Sequence, residues 1–306
     1  MSKSTAMNAK QLLDAKALAP LNQRSDWAGG LRFTAHLGVT ILSGYGWAHA
    51  YELGLLGLGL VALMIYGVSL AFMFCAVHEC VHRTAFVSTR ANDAIAWFAG
   101  CLSFYNSTFY RRYHKWHHRY TRIEGKDPEL LDLDPQNFVE YLWVLSGIPW
   151  WIGKVTGHVK VALGQLDGCY YLPESSYQSV IRSTRLQLGL YGAIALVSTV
   201  LGYPGFLFTY WILPLAVGQP LLRFVLLAEH TGCTYSDDAL ANTRTTLTLW
   251  PLRFFMWNMP YHAEHHLYPS MPFHALPKAH DLLKEQFATV DSGYVRVNRE
   301  IVNGFS

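Results

Sequence analysis

Charge is what this sequence has least of for its size. Only 15% of its 306 residues are Asp, Glu, Lys or Arg, against 51% hydrophobic, and so apolar a balance points to a membrane protein before a soluble one. The basic residues, 24 against 21 acidic for a net charge of +3, form no patch interleaved with aromatics, which leaves nucleic-acid binding without support. Cysteine is sparse as well. Cys75, Cys80, Cys101, Cys169 and Cys233 are odd in number and lack CxxC spacing, so they read as reduced packing residues. The first 30 residues lack a charged stretch followed by an apolar core and a small-residue cleavage site. No cleavable signal peptide is therefore expected, and residues 1–30 read as a polar, partly helical cytoplasmic segment.

Long uncharged runs are abundant. Phe33 to Ala50, Leu53 to Val77 and Leu186 to Leu222 contain no Asp, Glu, Lys or Arg. At about 1.5 Å per residue the second outspans a hydrocarbon core of roughly 30 Å. The third is too long for one crossing and carries the turn Gly202-Tyr203-Pro204-Gly205 near its middle. Two hairpins follow, giving four transmembrane helices at about residues 33–50, 53–77, 186–201 and 206–222, with kinks expected at Pro214 and Pro220. Ala91 to Tyr110, and Phe138 to Leu163 with Trp143, Trp150 and Trp151, read as segments lying on the membrane. The short turns Ala48 to Glu52 and Gly202 to Gly205 hold no Lys or Arg. The positive-inside rule then places both termini and the remaining extramembrane segments in the cytoplasm, at the inner membrane if the source is bacterial. The expected fold is all-α and integral to the membrane. Residues 31–306 make one domain, with a cytoplasmic helical cap (78–185 and 223–306) holding a histidine-rich di-metal site.

Histidine is the other abundance. The pattern HxxHH occurs twice, as His114, His117 and His118 in YHKWHHR and as His262, His265 and His266 in NMPYHAEHHLYP. Random placement of 14 histidines gives on the order of 0.03 such matches in a chain of this length, so two are a signal. On a helix, positions i, i+3 and i+4 share one face, a ready-made metal face. His78 and His82 in HECVH form a two-histidine version, and His230 in AEHTGC follows the last apolar run. Nine imidazoles exceed the roughly four ligands of a single zinc and suit two metals. Iron, zinc, copper and nickel all accept imidazole. The position beneath a bundle that would admit an apolar chain, and the lack of a hydrolytic nucleophile constellation, favour a redox pair activating O2 against an inert C–H bond.

HECVH, HKWHH and YHAEHH resemble the HxxxH, HxxHH and HxxHH boxes of the membrane fatty acid desaturase and hydroxylase superfamily, and WNMPYHAEHHLYPSMP is similar to the last box of its sphingolipid and bacterial acyl-lipid members. The resemblance covers roughly Val77 to Pro277. It implies a four-helix membrane stem, a cytoplasmic cap with two iron ions, and O2 as co-substrate in an attack on a fatty acyl or similar apolar chain. It also implies that His78, His82, His114, His117, His118, His262, His265 and His266 are iron ligands, with His230 the additional one. Some desaturases carry Asn four residues before that histidine; here the position is Leu226, and Glu229 adjoins His230. Desaturation is the leading reading. Hydroxylation, oxidative decarboxylation to a terminal alkene, and carotenoid ketolation or hydroxylation belong to the same wider group. No Rieske motif, haem segment or dinucleotide glycine fingerprint is present, so electrons are expected from a separate ferredoxin, rubredoxin or cytochrome b5 type donor with its reductase. The surface around Arg111, Arg112, Lys115 and Arg119 could dock such a carrier or contact lipid headgroups.

Glu79, Glu229 and Glu264 adjoin expected ligands and could orient imidazoles, and Asn258 could hydrogen-bond a metal-bound water; ordinary salt bridges and caps are the plainer alternatives. HECVH also satisfies HExxH, and Leu166-Asp167-Gly168 echoes an intramembrane zinc metalloprotease, a rival that leaves both HxxHH boxes unexplained. A metal transporter would place its ligands nearer the bilayer midplane, and a purely structural metal cap is the remaining non-catalytic reading. His36, His49, His158, His274 and His280 lack cluster spacing and read as packed or surface residues.

Overall fold

The computed structural model describes residues 12–131 and 134–305; the first part of the expected N-terminal segment lies outside the described residues. Helix α1 (Ala15–Leu21) leads to α2 (Asp26–Glu52), whose first turn is capped by the Ser25 hydroxyl accepting from Ala28 N–H. The chain reverses at Leu53–Leu55 into α3 (Leu56–Val81). The turn expected at Ala48 to Glu52 is thus displaced. Nothing in that stretch breaks a helix, whereas Gly54, at φ +67°, takes up the left-handed conformation that ends it.

After α3, Arg83 (φ +61°) turns the chain into α4 (Thr89–Ser103), which lies against α3. Phe104, at φ +60°, stops α4, and the Asn106 side chain accepts from Phe109 N–H to start α5 (Ser107–Tyr120). Next come α6 (Phe138–Leu145) and α7 (Ile148–Ala162), separated at Gly147, and then α8 (Tyr177–Val200). A π-helical turn, Phe208–Ile212, runs directly into α9 (Leu213–His230), with Pro214 in its first turn and Pro220 inside it. The expected distortion at Pro214 is therefore this widened turn just ahead of it. Proline supplies no amide hydrogen to the preceding turn, which relaxes the ordinary helical ladder there.

The fold is helical as expected, and the C-terminal part adds to it one short pair of strands. Strand β1 (Thr245–Leu247) precedes α10 (Trp250–Phe255), α11 (His262–Leu267) and α12 (Leu276–Leu283). Strand β2 (Val290–Ser292) then pairs with β1 in parallel, Thr245 opposite Val290, before α13 (Tyr294–Asn303). Three residues per strand are too few for an alternating hydrophobic pattern to show in sequence.

Among the described residues, two helical segments are long and apolar enough to cross a membrane, Leu56–Val81 and Phe208–His230. The other two expected spans lie in helices with polar first halves: α2 carries Asp26, Arg32 and Thr34, and α8 carries Arg182 and Arg185.

Helix α3 is the axis of the molecule, packed by α2, α4 and α9. From Leu70 to Val81 every residue is buried, with Phe72, Met73, Cys75, Ala76 and Val77 inaccessible. Its approach to α9 requires glycine on both helices: a Cβ on Gly67 would collide with the Pro214 carbonyl, and one on Gly218 with the Gly67 carbonyl. Gly218→Val should lower the unfolding midpoint in detergent by the equivalent of about 1–3 kcal/mol or more. Gly192→Ala, which meets open space, should leave that midpoint unchanged in the same thermal assay.

Candidate metal centre

Four elements deliver the nine histidines. His78 lies in the last turn of α3 and His82 caps it; His114, His117 and His118 lie on α5; His230 ends α9; His262, His265 and His266 lie on α11. Helix α11 has only six residues, far too short to persist alone, and side chains hold it. The Thr245 hydroxyl accepts from Ala263 N–H and donates to Glu264, which also bonds His280 Nδ1. Before it, Trp257 and Asn258 both adopt positive φ, and Asn258 Nδ2 donates to the Phe273 carbonyl at 2.9 Å.

The imidazoles converge in two groups. His78, His82, His114, His118 and His265 form one, and His117, His230 and His266 the other, with the donor atoms of each group within 4.8 Å of one another. His262 joins the second group, its Nε2 3.2 Å from His230 Nε2 and 3.1 Å from His266 Nε2. In the first, His118 Nε2 lies 3.0 Å from both His114 Nε2 and His265 Nε2. The sequence boxes are therefore not the metal sites, because each HxxHH box contributes to both groups.

Outer hydrogen bonds fix several rings with Nε2 inward. His117 Nδ1–H donates to Asp127 Oδ1 at 2.9 Å, and Asp127 also accepts from the amides of Arg122 and Glu129. His230 Nδ1 lies 3.1 Å from the Asn242 carbonyl, which can only accept, so the proton sits on Nδ1. Thr121 donates to the His117 carbonyl, which leaves its oxygen to accept from His266 Nδ1–H at 3.1 Å. Asp127, Asn242 and Thr121 were not marked by sequence reasoning. Only Asp127 offered a signal, as an acid in the loop following a histidine box.

The inner nitrogens fit a metal. Both ring nitrogens of His78, and Nε2 of His82, are buried with no hydrogen-bond partner, a costly state unless something else binds them. Two donors on one ion about 2.1 Å away lie about 3.0 Å apart at a right angle and about 3.4 Å in a tetrahedron, which brackets the Nε2 contacts above. Burial pushes His114, His118, His262, His265 and His266 well below the ordinary histidine range, keeping them in the neutral, ligating form. His117 is the exception. Burial lowers it too, but Glu129 and the hydrogen-bonded Asp127 outweigh that and raise it.

Of the polar neighbours expected to tune the ligands, Glu229 reaches one, its Oε2 3.4 Å from His262 Nε2 and its Oε1 buried without a partner. The others bond elsewhere. Glu79 Oε1 accepts from Thr84 Oγ1 and Phe273 N–H, Asn258 Nδ2 donates to the Phe273 carbonyl, and Glu264 holds Thr245 and His280. Glu79 and Asn258 thus grip both polar groups of the Phe273 peptide backbone and lock the last box against α3. Leu226 packs in the main core. His36, inaccessible, accepts from Trp257 Nε1 and bonds the Ser69 carbonyl. Of the basic residues on α5, Arg111 pairs with Asp93 and Arg112 bonds the Thr108 carbonyl, which reduces the surface left for a docking partner.

Residues 55–298 match the family described as fatty acid desaturase. The chain is 25% identical over 264 residues to the Delta(5) fatty acid desaturase fat-4 of Caenorhabditis elegans, covering 74% of this chain and 57% of that protein. It is 24% identical to the sn-1 oleoyl-lipid 12-desaturase of a Picosynechococcus strain (72% and 67% covered). It is 28% identical to the dihydrorhizobitoxine desaturase of Bradyrhizobium elkanii (78% and 69% covered). The match with the nematode protein thus spans little more than half of that relative's length, and all identities are low. With the family match spanning most of its length, the chain belongs to the fatty acid desaturase family.

Proposed function

We propose that the protein is an O2-dependent oxidoreductase with two iron ions, which removes two hydrogens from adjacent methylenes of a fatty acyl or similar long apolar chain. The observation that carries this reading is the convergence of nine imidazoles in two neighbouring groups, with both ring nitrogens of His78 and Nε2 of His82 buried and without a hydrogen-bond partner. His78, His82, His114, His118 and His265 would hold one iron, and His117, His230, His262 and His266 the other. Iron so held supplies the oxidising power, drawn from O2 and external electrons, that an unactivated C–H bond demands.

This chain's residues orient the ligands and keep water out. Phe74 abuts His78 and Tyr105, and Tyr110 stacks on His114, giving the first group an apolar, aromatic wall. Such a wall suits a hydrocarbon substrate and raises the strength of every electrostatic contact inside it. Desaturation consumes O2, two electrons and two protons and yields an alkene and two waters, so a separate donor of the ferredoxin, rubredoxin or cytochrome b5 type supplies the electrons.

The same reading places four crossings in the membrane, by α2, α3, α8 and α9, with the histidines and both termini on the cytoplasmic side. Within α2 and α8 the uncharged halves, 33–50 and 186–200, would cross, and the polar first turns would lie at the surface. The protease alternative finds little support in the geometry. Glu79 is turned to Thr84 and Phe273, and Asp167 adjoins Leu166 in a separate small cluster.

Metal analysis of the purified protein should find about two irons per chain; one tightly held zinc and no iron would overturn the reading in favour of a zinc hydrolase. Deuterated fatty acids supplied to cells expressing the protein with a reductase system should yield new alkenes by mass spectrometry. Alcohols or terminal alkenes would instead identify hydroxylation or decarboxylation, and His118→Ala or His262→Ala should abolish whichever product forms. Asp127→Asn should weaken metal retention about 10–100-fold against a chelator by releasing His117, and unaltered chelator resistance would remove Asp127 from that role.

A further inference from the structure

The turn after α5 brings a carboxylate to a place that nine imidazoles do not explain. Asp127 accepts from both His117 Nδ1–H and the Glu129 amide, which curls the 3-10 turn Pro128–Leu131 back over α5. The half-buried Glu129 carboxylate then lies between the two groups, Oε2 3.6 Å from His117 Nε2 and Oε1 4.0 Å from His114 Nδ1. Because His117 Nδ1 is held by Asp127, Nε2 is the nitrogen left for a metal, and a Glu129 oxygen sits on that side of it. The separation is close to that of two donors sharing one ion. His114 directs Nε2 toward His118 in the first group; its outer Nδ1 lies 3.3 Å from the Tyr110 hydroxyl, with the other Glu129 oxygen 4.0 Å away on the same side.

Donor supply and charge favour the same assignment. Five imidazoles lie within mutual reach in the first group, whereas three do so in the second, with His262 beside them. The second group has more need of a further donor. Two divalent ions among neutral imidazoles also concentrate positive charge where water is scarce, and an anionic ligand offsets it. Iron accepts mixed imidazole and carboxylate ligation.

We propose that Glu129 is a carboxylate ligand of the second metal, through the oxygen that faces His117 Nε2. The proposal rests on the two-iron reading above. Iron content and Mössbauer spectra of the purified, iron-loaded protein test it in the parent, Glu129→Gln and Glu129→Asp. The parent should hold about two irons; a parent without iron overturns both readings together. Glu129→Gln should fall to about one iron per chain, or keep two with the quadrupole doublet of one iron altered and the other unchanged. Two irons with both doublets unchanged in Glu129→Gln overturn the role of Glu129 and leave the two-iron reading standing. Should Glu129→Gln fail to fold, Glu129→Asp decides alone: a shift of one doublet supports the proposal, and a spectrum superimposable on the parent's overturns it.

Discussion

Nine converging imidazoles are the constraint to which the segments around them answer. A buried polar nitrogen without a partner costs on the order of 1–3 kcal/mol, and here several share one small volume. Protein atoms satisfy outer nitrogens of His117, His230 and His266 and leave the inner ones to each other or to a metal. Burial disfavours the charged form of most of the rings, which lessens the charge repulsion that would splay them apart. The same burial explains why the short α11 needs Thr245, Glu264 and His280 around it: if that helix frayed, three of the nine rings would be exposed at once.

Helix geometry then decides which ring goes where. At about 100° per residue, i+4 lies about 40° from i on one side and i+3 about 60° on the other. In α5 the i, i+4 pair, His114 and His118, joins the first group while His117 diverges to the second. In α11 the corresponding pair, His262 and His266, lies in the second group and His265 in the first. The HxxHH spacing thus lets one helix contribute to both groups of imidazoles. Whereas His78, His82 and His230 rested on weaker patterns and on the family resemblance, six of the nine residues were readable in the sequence because the HxxHH spacing is so improbable by chance. Their division between two centres was not, because it depends on how α5 and α11 face each other across His118 and His265, 3.0 Å apart.

A similar line separates what was legible in the fold from what was not. The long uncharged runs located α3 and α9, since length and apolarity are properties of the segment alone. The turn at Gly54, the stop at Phe104 and the π-helical turn before Pro214 depend on single backbone conformations, which a hydrophobic pattern does not register. The glycine contact of α3 with α9 likewise joins residues 67 and 218, which no local window holds together. The β1–β2 pair is local to neither strand: Thr245 is shared with α11, and Val290 lies far along the chain.

The carboxylates follow from the same rotation. A residue adjacent to a ligand on a helix is turned about 100° from it, so it tends to miss the metal its neighbour faces. Glu79 and Glu264, each beside a histidine of the two groups, accordingly bond Thr84 and Phe273, and Thr245 and His280. They brace the ligand-bearing elements from behind. Asp127 and Glu129 reach the histidines because they lie outside α5, in the following segment that folds back on it. Glu229 does so as well, but the ring it meets is His262 of α11, not its own neighbour His230. Nearness in sequence therefore predicts support of the scaffold, and contact with the ligands comes from residues that another element, or a turn, carries into place.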